Sequence, residues 1–156
     1  MPDQKGTVPI GFVPLGVSKK MITTAEEFIR LRSSELPEEY RKADHEEASV
    51  QTWEEVIERY PEYKRWVIHN KTVPIKILEK LAKDSDSSIR AEVARKRKIN
   101  EVIFQLLAAD EDENVRYALA CNSKLAIDKL QQIKQEGSEW FENAVSERIK
   151  LKEIEK

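Results

Sequence analysis

The sequence predicts an all-α chain, a stacked array of antiparallel helix pairs, on three observations. The first is a repeat. Lys80–Arg90 aligns with Leu106–Arg116 at an offset of 26 residues, and the register extends to Val93–Ala94 over Leu119–Ala120 and to Val67–Ile68 upstream. A fixed period in this range marks units that bury their apolar faces on one another rather than alone. The second is that apolar residues after Met21 recur at helical spacing, and no segment shows the strict alternation of a strand. The third is the confinement of helix breakers: residues 1–20 hold three of the four glycines and three of the six prolines.

Those first residues, 1–20, therefore read as an extended N-terminal arm, and 21–156 as a single helical domain with its clearest repeats at 64–130. Thr24 with Glu27 fits a capping box for a helix carrying Phe28, Ile29 and Leu31. Pro37 opens a second helix, followed by Glu38 and Glu39 at its positive end. Ser49 caps a third, with Val50, Trp53, Val56 and Ile57 inward. Pro61 opens a fourth that ends at Asn70, a residue tolerant of left-handed backbone. Pro74 opens the next, Asp86 caps its partner, and Asn100 and Asp112 or Glu113 repeat the arrangement. A longer helix is expected from Leu125 to Glu136, stopped by Gly137, and Ser138 caps the last. The total is ten helices in about five pairs.

Composition narrows the function. Charged residues make up 36% of the chain and the net charge is −2, so no global basic field attracts nucleic acid or an anionic surface. Cys121 is the single cysteine, and no Cys/His cluster has metal spacing. No apolar run approaches the roughly 20 residues of a membrane span, and the arm lacks the continuous apolar core of a signal peptide. The expectation is a cytoplasmic protein without cofactor, metal or small-molecule substrate.

Within each clear unit an acid precedes a base by six residues: Asp84 with Arg90, and Asp110 with Arg116. Projected backward the pair is Glu58 with Lys64; projected forward it is Glu136 with Glu142, and fails. An Arg one turn into a helix can reach the Asp of its own or of the neighbouring repeat, building a ladder. The pattern Leu-Ala-x-Asp-x-Asp-x-x-Ile/Val-Arg-x-x-Val/Leu-Ala resembles the HEAT-like repeats, especially the short leucine-rich-repeat-variant type of bacteria. It is clear over 74–97 and 100–123, weaker over 53–70 and 125–149, and absent before Ser49. The resemblance implies a short right-handed α-solenoid whose role is to bind a macromolecule. Some HEAT-like proteins are DNA glycosylases with a basic concave face. Some repeat-variant proteins hold a cysteine-ligated iron–sulfur cluster, for which this chain lacks the cysteines.

Turns within repeats are acidic (Asp84, Asp86, Asp110–Glu113), and turns between repeats are basic. Acids favour helix starts and bases helix ends, which explains most of this split. Four consecutive bases at Arg95, Lys96, Arg97 and Lys98 exceed capping needs. With Lys71 and Lys124 they form the candidate binding surface, for an acidic protein surface or for phosphate. The expected function is a non-enzymatic protein–protein interaction module. By analogy of fold alone, an immunity or antitoxin-type role suits it. The alternative is nucleic-acid binding on a glycosylase-like scaffold. Trp53, Trp66 and Trp140 are expected to fill gaps between unequal helices, and His69 and Cys121 to be plain helix-end residues.

Overall fold

In a computed structural model, residues 20–155 are described; the arm, apart from Lys20, lies outside them. Among the described residues are ten α-helices: α1 (Ala25–Arg32), α2 (Pro37–His45), α3 (Val50–Arg59), α4 (Lys64–His69), α5 (Ile75–Leu81), α6 (Ser87–Ala94), α7 (Glu101–Ala108), α8 (Glu113–Ala120), α9 (Ile127–Gln132) and α10 (Glu139–Ile154). A 3-10 turn, Pro61–Tyr63, leads into α4. Two dipeptide strands, β1 (Met21–Ile22) and β2 (Glu47–Ala48), pair in parallel, Ile22 opposite Ala48. Strands this short carry no alternation to read, which is why the sequence did not show them. They pin the start of the helical chain to the link between α2 and α3.

The helix starts follow the caps. Thr24 Oγ1 accepts from Glu27 N at 3.0 Å, and Glu27 reaches back to Thr23 N at 2.8 Å, one residue earlier than a strict capping box. Ser49, Asp86, Asn100, Asp112 and Ser138 each accept a first-turn N–H of the helix that follows. Three expectations need correction. Pro61 opens a 3-10 turn, not an α-helix. Asn70 is not left-handed: its φ is −59° and its ψ 131°. The helix expected over 125–136 is only α9, because Ile133 leaves helical geometry with ψ 135°. Beyond it, Lys134 N donates to Ala108 O at 2.9 Å, and Arg116 Nη1 donates to Lys134 O and Glu136 O at 2.7 and 2.6 Å. Those tertiary bonds outcompete a third turn of weakly apolar helix. Gly137 follows in a tight place, where an added Cβ would stand 2.8 Å from Glu113 Oε2 and 2.9 Å from the Phe141 ring.

Packing joins consecutive helices as α3·α4, α5·α6, α7·α8 and α9·α10. It also joins alternate ones: α1·α3·α5·α7 in one row, and α4·α6·α8·α10 in another. Between them runs one hydrophobic cluster. Phe28 and Trp53, both fully buried, meet edge to face with centroids 5.0 Å apart.

Two polar ladders lock successive units. In the first, a base reaches the acid of the following repeat. Lys64 Nζ lies 2.7 Å from Asp84, and Arg90 donates through Nε and Nη2 to Asp110 at 2.7 and 3.0 Å. The projected Glu58–Lys64 pair does not form; Glu58 is exposed and faces Lys80 at 3.6 Å. At the C-terminal end Arg116, 3% exposed, meets two backbone carbonyls and the Phe141 ring. The second ladder was not anticipated. The fully buried Asn70 donates through Nδ2 to Ala43 O and Glu46 O at 2.8 and 3.0 Å. Asn122 does the same to Ala94 O and Lys96 O at 2.9 and 2.7 Å. These carbonyls sit at helix C-termini, where no intrahelical donor exists.

Helix capping carries a pH dependence. Ser88 holds Asp86 below its usual carboxylate range, through its hydroxyl first and then its backbone N–H, and the Asn114 backbone N–H does the same for Asp112. A depressed folded pKa gives stability that is present above the unfolded value near 4 and lost as pH falls through the folded value. The double variant Asp86→Asn/Asp112→Asn keeps both acceptors but cannot titrate. Between pH 5 and pH 2 its melting temperature is expected to fall less steeply than that of the parent.

Candidate macromolecule-binding groove

Helices α4, α6 and α8 lie side by side, so the turns after them stack. Lys71 and Arg97 stand one repeat apart, as do Lys98 and Lys124. The structure brings all six predicted residues, Lys71, Arg95, Lys96, Arg97, Lys98 and Lys124, to the lining of one groove of roughly 1150 Å³. Val73, Ile75 and Leu78 supply aliphatic lining; Ile75 is 38% exposed and Leu78 buried beneath the surface.

The charge is uneven. Two carboxylates line the groove, Asp44 and Glu92. Glu92 is shared by three side chains: the His69 ring through Nε2 at 3.1 Å, Arg95 at 3.5 Å and Arg65 at 3.6 Å. Among the described residues, no ion pair forms on Lys71, Lys96, Arg97, Lys98 or Lys124. Lys96 is half-buried, and its ammonium touches Asn70 O at 3.3 Å. Burial, and then the neighbouring charge of Lys71, draws its pKa below the usual lysine range. A ring of like charge with one cation partly desolvated gains free energy when an anion arrives.

Arg32, also in the groove lining, is held against two rings. Its guanidinium carbon lies 3.9 Å from the Tyr40 centroid and 3.6 Å from that of Trp66. Its Nη2 donates to Tyr40 Oη at 2.6 Å, and Nη1 stands 3.7 Å from Asp44. Sequence reasoning missed Arg32, Tyr40 and Asp44. They precede the recognisable repeats, and only the contact between α1, α2 and α4 brings them to Trp66.

The other tryptophans divide. Trp53 fills the core, while Trp140 is 53% exposed and tilts against Tyr117 at 5.0 Å. Cys121 caps α8 and is exposed. The acidic turns contrast with the basic ones, because Asp84 and Asp110 hold Lys64 and Arg90 while Asp86 and Asp112 cap helices. Their charge is already engaged within the fold, whereas most of the basic charge is not. Compared with protein-family models, with curated proteins and with solved structures, the chain matches none.

Proposed function

We propose that the chain is a non-enzymatic protein-binding module, a short right-handed α-solenoid of HEAT-like type with about five antiparallel helix pairs. Its groove between repeats takes an acidic surface of another protein. The alternating packing of helices and the 26-residue register of the ladders support the solenoid reading. The observation that carries the function is the convergence of six basic side chains, five without a carboxylate partner among the described residues, on one groove. Such a surface raises the local concentration of an acidic partner and fixes its register.

Nucleic acid is the weaker reading on two counts. Single-stranded recognition uses free aromatic faces as stacking platforms. Here Arg32 occupies a face of both Tyr40 and Trp66, and Val73, Ile75 and Leu78 give the lining an aliphatic stretch. The net charge of −2 also gives the molecule no long-range field toward a polyanion.

The test is affinity capture from a lysate of the source cell, with and without nuclease. The comparison is a variant carrying Lys71→Glu, Arg97→Glu and Lys98→Glu, all at exposed positions. A stoichiometric protein that survives nuclease and is lost in the variant is the expected result. Recovery of nuclease-sensitive material alone would replace the protein reading by the nucleic-acid one.

A further inference from the structure

The groove is not uniformly basic, and two other chemistries share its lining. One is the Arg32 clamp. The side chain is 8% exposed, and its guanidinium carbon lies 3.9 and 3.6 Å from the Tyr40 and Trp66 ring centroids, which hold it in place. Tyr40 Oη takes one edge donor, and the nearest carboxylate, Asp44, stands at 3.7 Å, beyond hydrogen-bond distance. This is a fixed guanidinium fork with donors to spare, the geometry that suits a carboxylate. Its conformational entropy is already lost in the free protein, so little more is lost on binding. The other is the aliphatic lining of Val73 and Ile75 over Leu78. Ile75, 38% exposed on the groove side of α5, offers apolar surface that a ligand can cover.

Resting on the protein-binding reading, we propose that the groove's ligand is an acidic peptide segment with aliphatic side chains interleaved among its carboxylates. One carboxylate docks on the Arg32 fork, aliphatic side chains cover Val73 and Ile75, and further carboxylates face Lys71, Lys96 and Lys98. Charge supplies steering and register, while the aliphatic contact and the clamped arginine supply hold. A phosphate chain meets the lysines but has nothing to place on the aliphatic lining.

Fluorescence anisotropy with the full chain and labelled probes tests this. The probes are short peptides alternating Glu with Leu, Glu with Ser, and Gln with Leu, together with an oligothymidylate of equal length. The Glu–Leu peptide is expected to bind at least about tenfold more tightly than the other three, a difference of about 1.4 kcal/mol. Ile75→Asp is expected to weaken it about tenfold, with no change in melting temperature because the residue is exposed. Arg32→Gln is expected to do the same; should that variant fold poorly, Lys98→Glu, at an exposed position, takes its place with an expected loss of severalfold. Equal binding of the Glu–Leu and Glu–Ser peptides would overturn the inference, as would indifference to Ile75→Asp. Failure of every peptide would overturn it too, while leaving the groove reading to the lysate capture, which does not depend on peptide composition. Tighter binding of the oligothymidylate would overturn both.

Discussion

Asp110→Ala is expected to lower the stability of the fold by about 2–3 kcal/mol, while Glu111→Ala, one residue on, changes it by no more than about 0.5 kcal/mol. The difference follows from position in the ladder. The Asp110 side chain is 7% exposed, and the Arg90 side chain that grips it through two donors is 18% exposed. Asp110 also accepts from Asp112 N at 2.9 Å, which shapes the turn ahead of α8. Removing the carboxylate leaves a largely buried guanidinium without its charge partner. Part of the loss is returned because Arg90 keeps its bond to Asp84 O at 2.8 Å. Glu111 is exposed in the same turn. Urea denaturation of the two variants checks this, and equal midpoints would contradict the ladder.

Asn122→Leu is expected to cost about 2–3 kcal/mol, although leucine has the branching and heavy-atom count of asparagine and is more apolar. The amide joins α6 to the chain beyond α8 through Ala94 O and Lys96 O, and its own oxygen accepts from Lys124 N at 3.0 Å. Replacing it strands two carbonyls and one N–H at a site where Asn122 is 7% exposed. Asn122→Asp is expected to be at least as harmful, since a carboxylate would face the two carbonyls with no donor to offer. Asn114→Ala, at an exposed position of α8, is the matched control and is expected to have little effect. Thermal melts of the three variants decide the point; an Asn122→Leu protein as stable as the parent would show that the second ladder contributes nothing.

Much of this was legible in the sequence because it is local. Caps at Thr24, Ser49, Asp86, Asn100 and Ser138 act within one turn, and the period itself announces the acid–base ladder. What was hidden depends on contacts between units. Asn70 and Asn122 stand 52 residues apart, twice the repeat, but Lys96 occupies the place between them and masks the pattern. In isolation an asparagine at a helix end suggests a left-handed cap, and only the buried carbonyls show otherwise. The helix expected over 125–136 was shortened by Arg116, whose bonds to two carbonyls hold the chain extended. Four basic residues of the groove were legible for the opposite reason: Lys71 with Arg97 and Lys98 with Lys124 stand 26 residues apart, and the packing of α4 on α6 and of α6 on α8 aligns them. The Arg32 clamp does not follow the period, lying before Ser49 where the repeat pattern is absent.

Site-specific photocrosslinking in the source cell tests whether the basic groove is where a protein partner docks. A photoreactive amino acid is placed at position 97 on the groove and, in a separate protein, at position 111 in the acidic turn ahead of α8. Both positions are exposed. A discrete, nuclease-resistant protein adduct is expected from position 97 and none from position 111. Adducts of equal yield from both positions, or adducts from position 97 that nuclease removes, would contradict it.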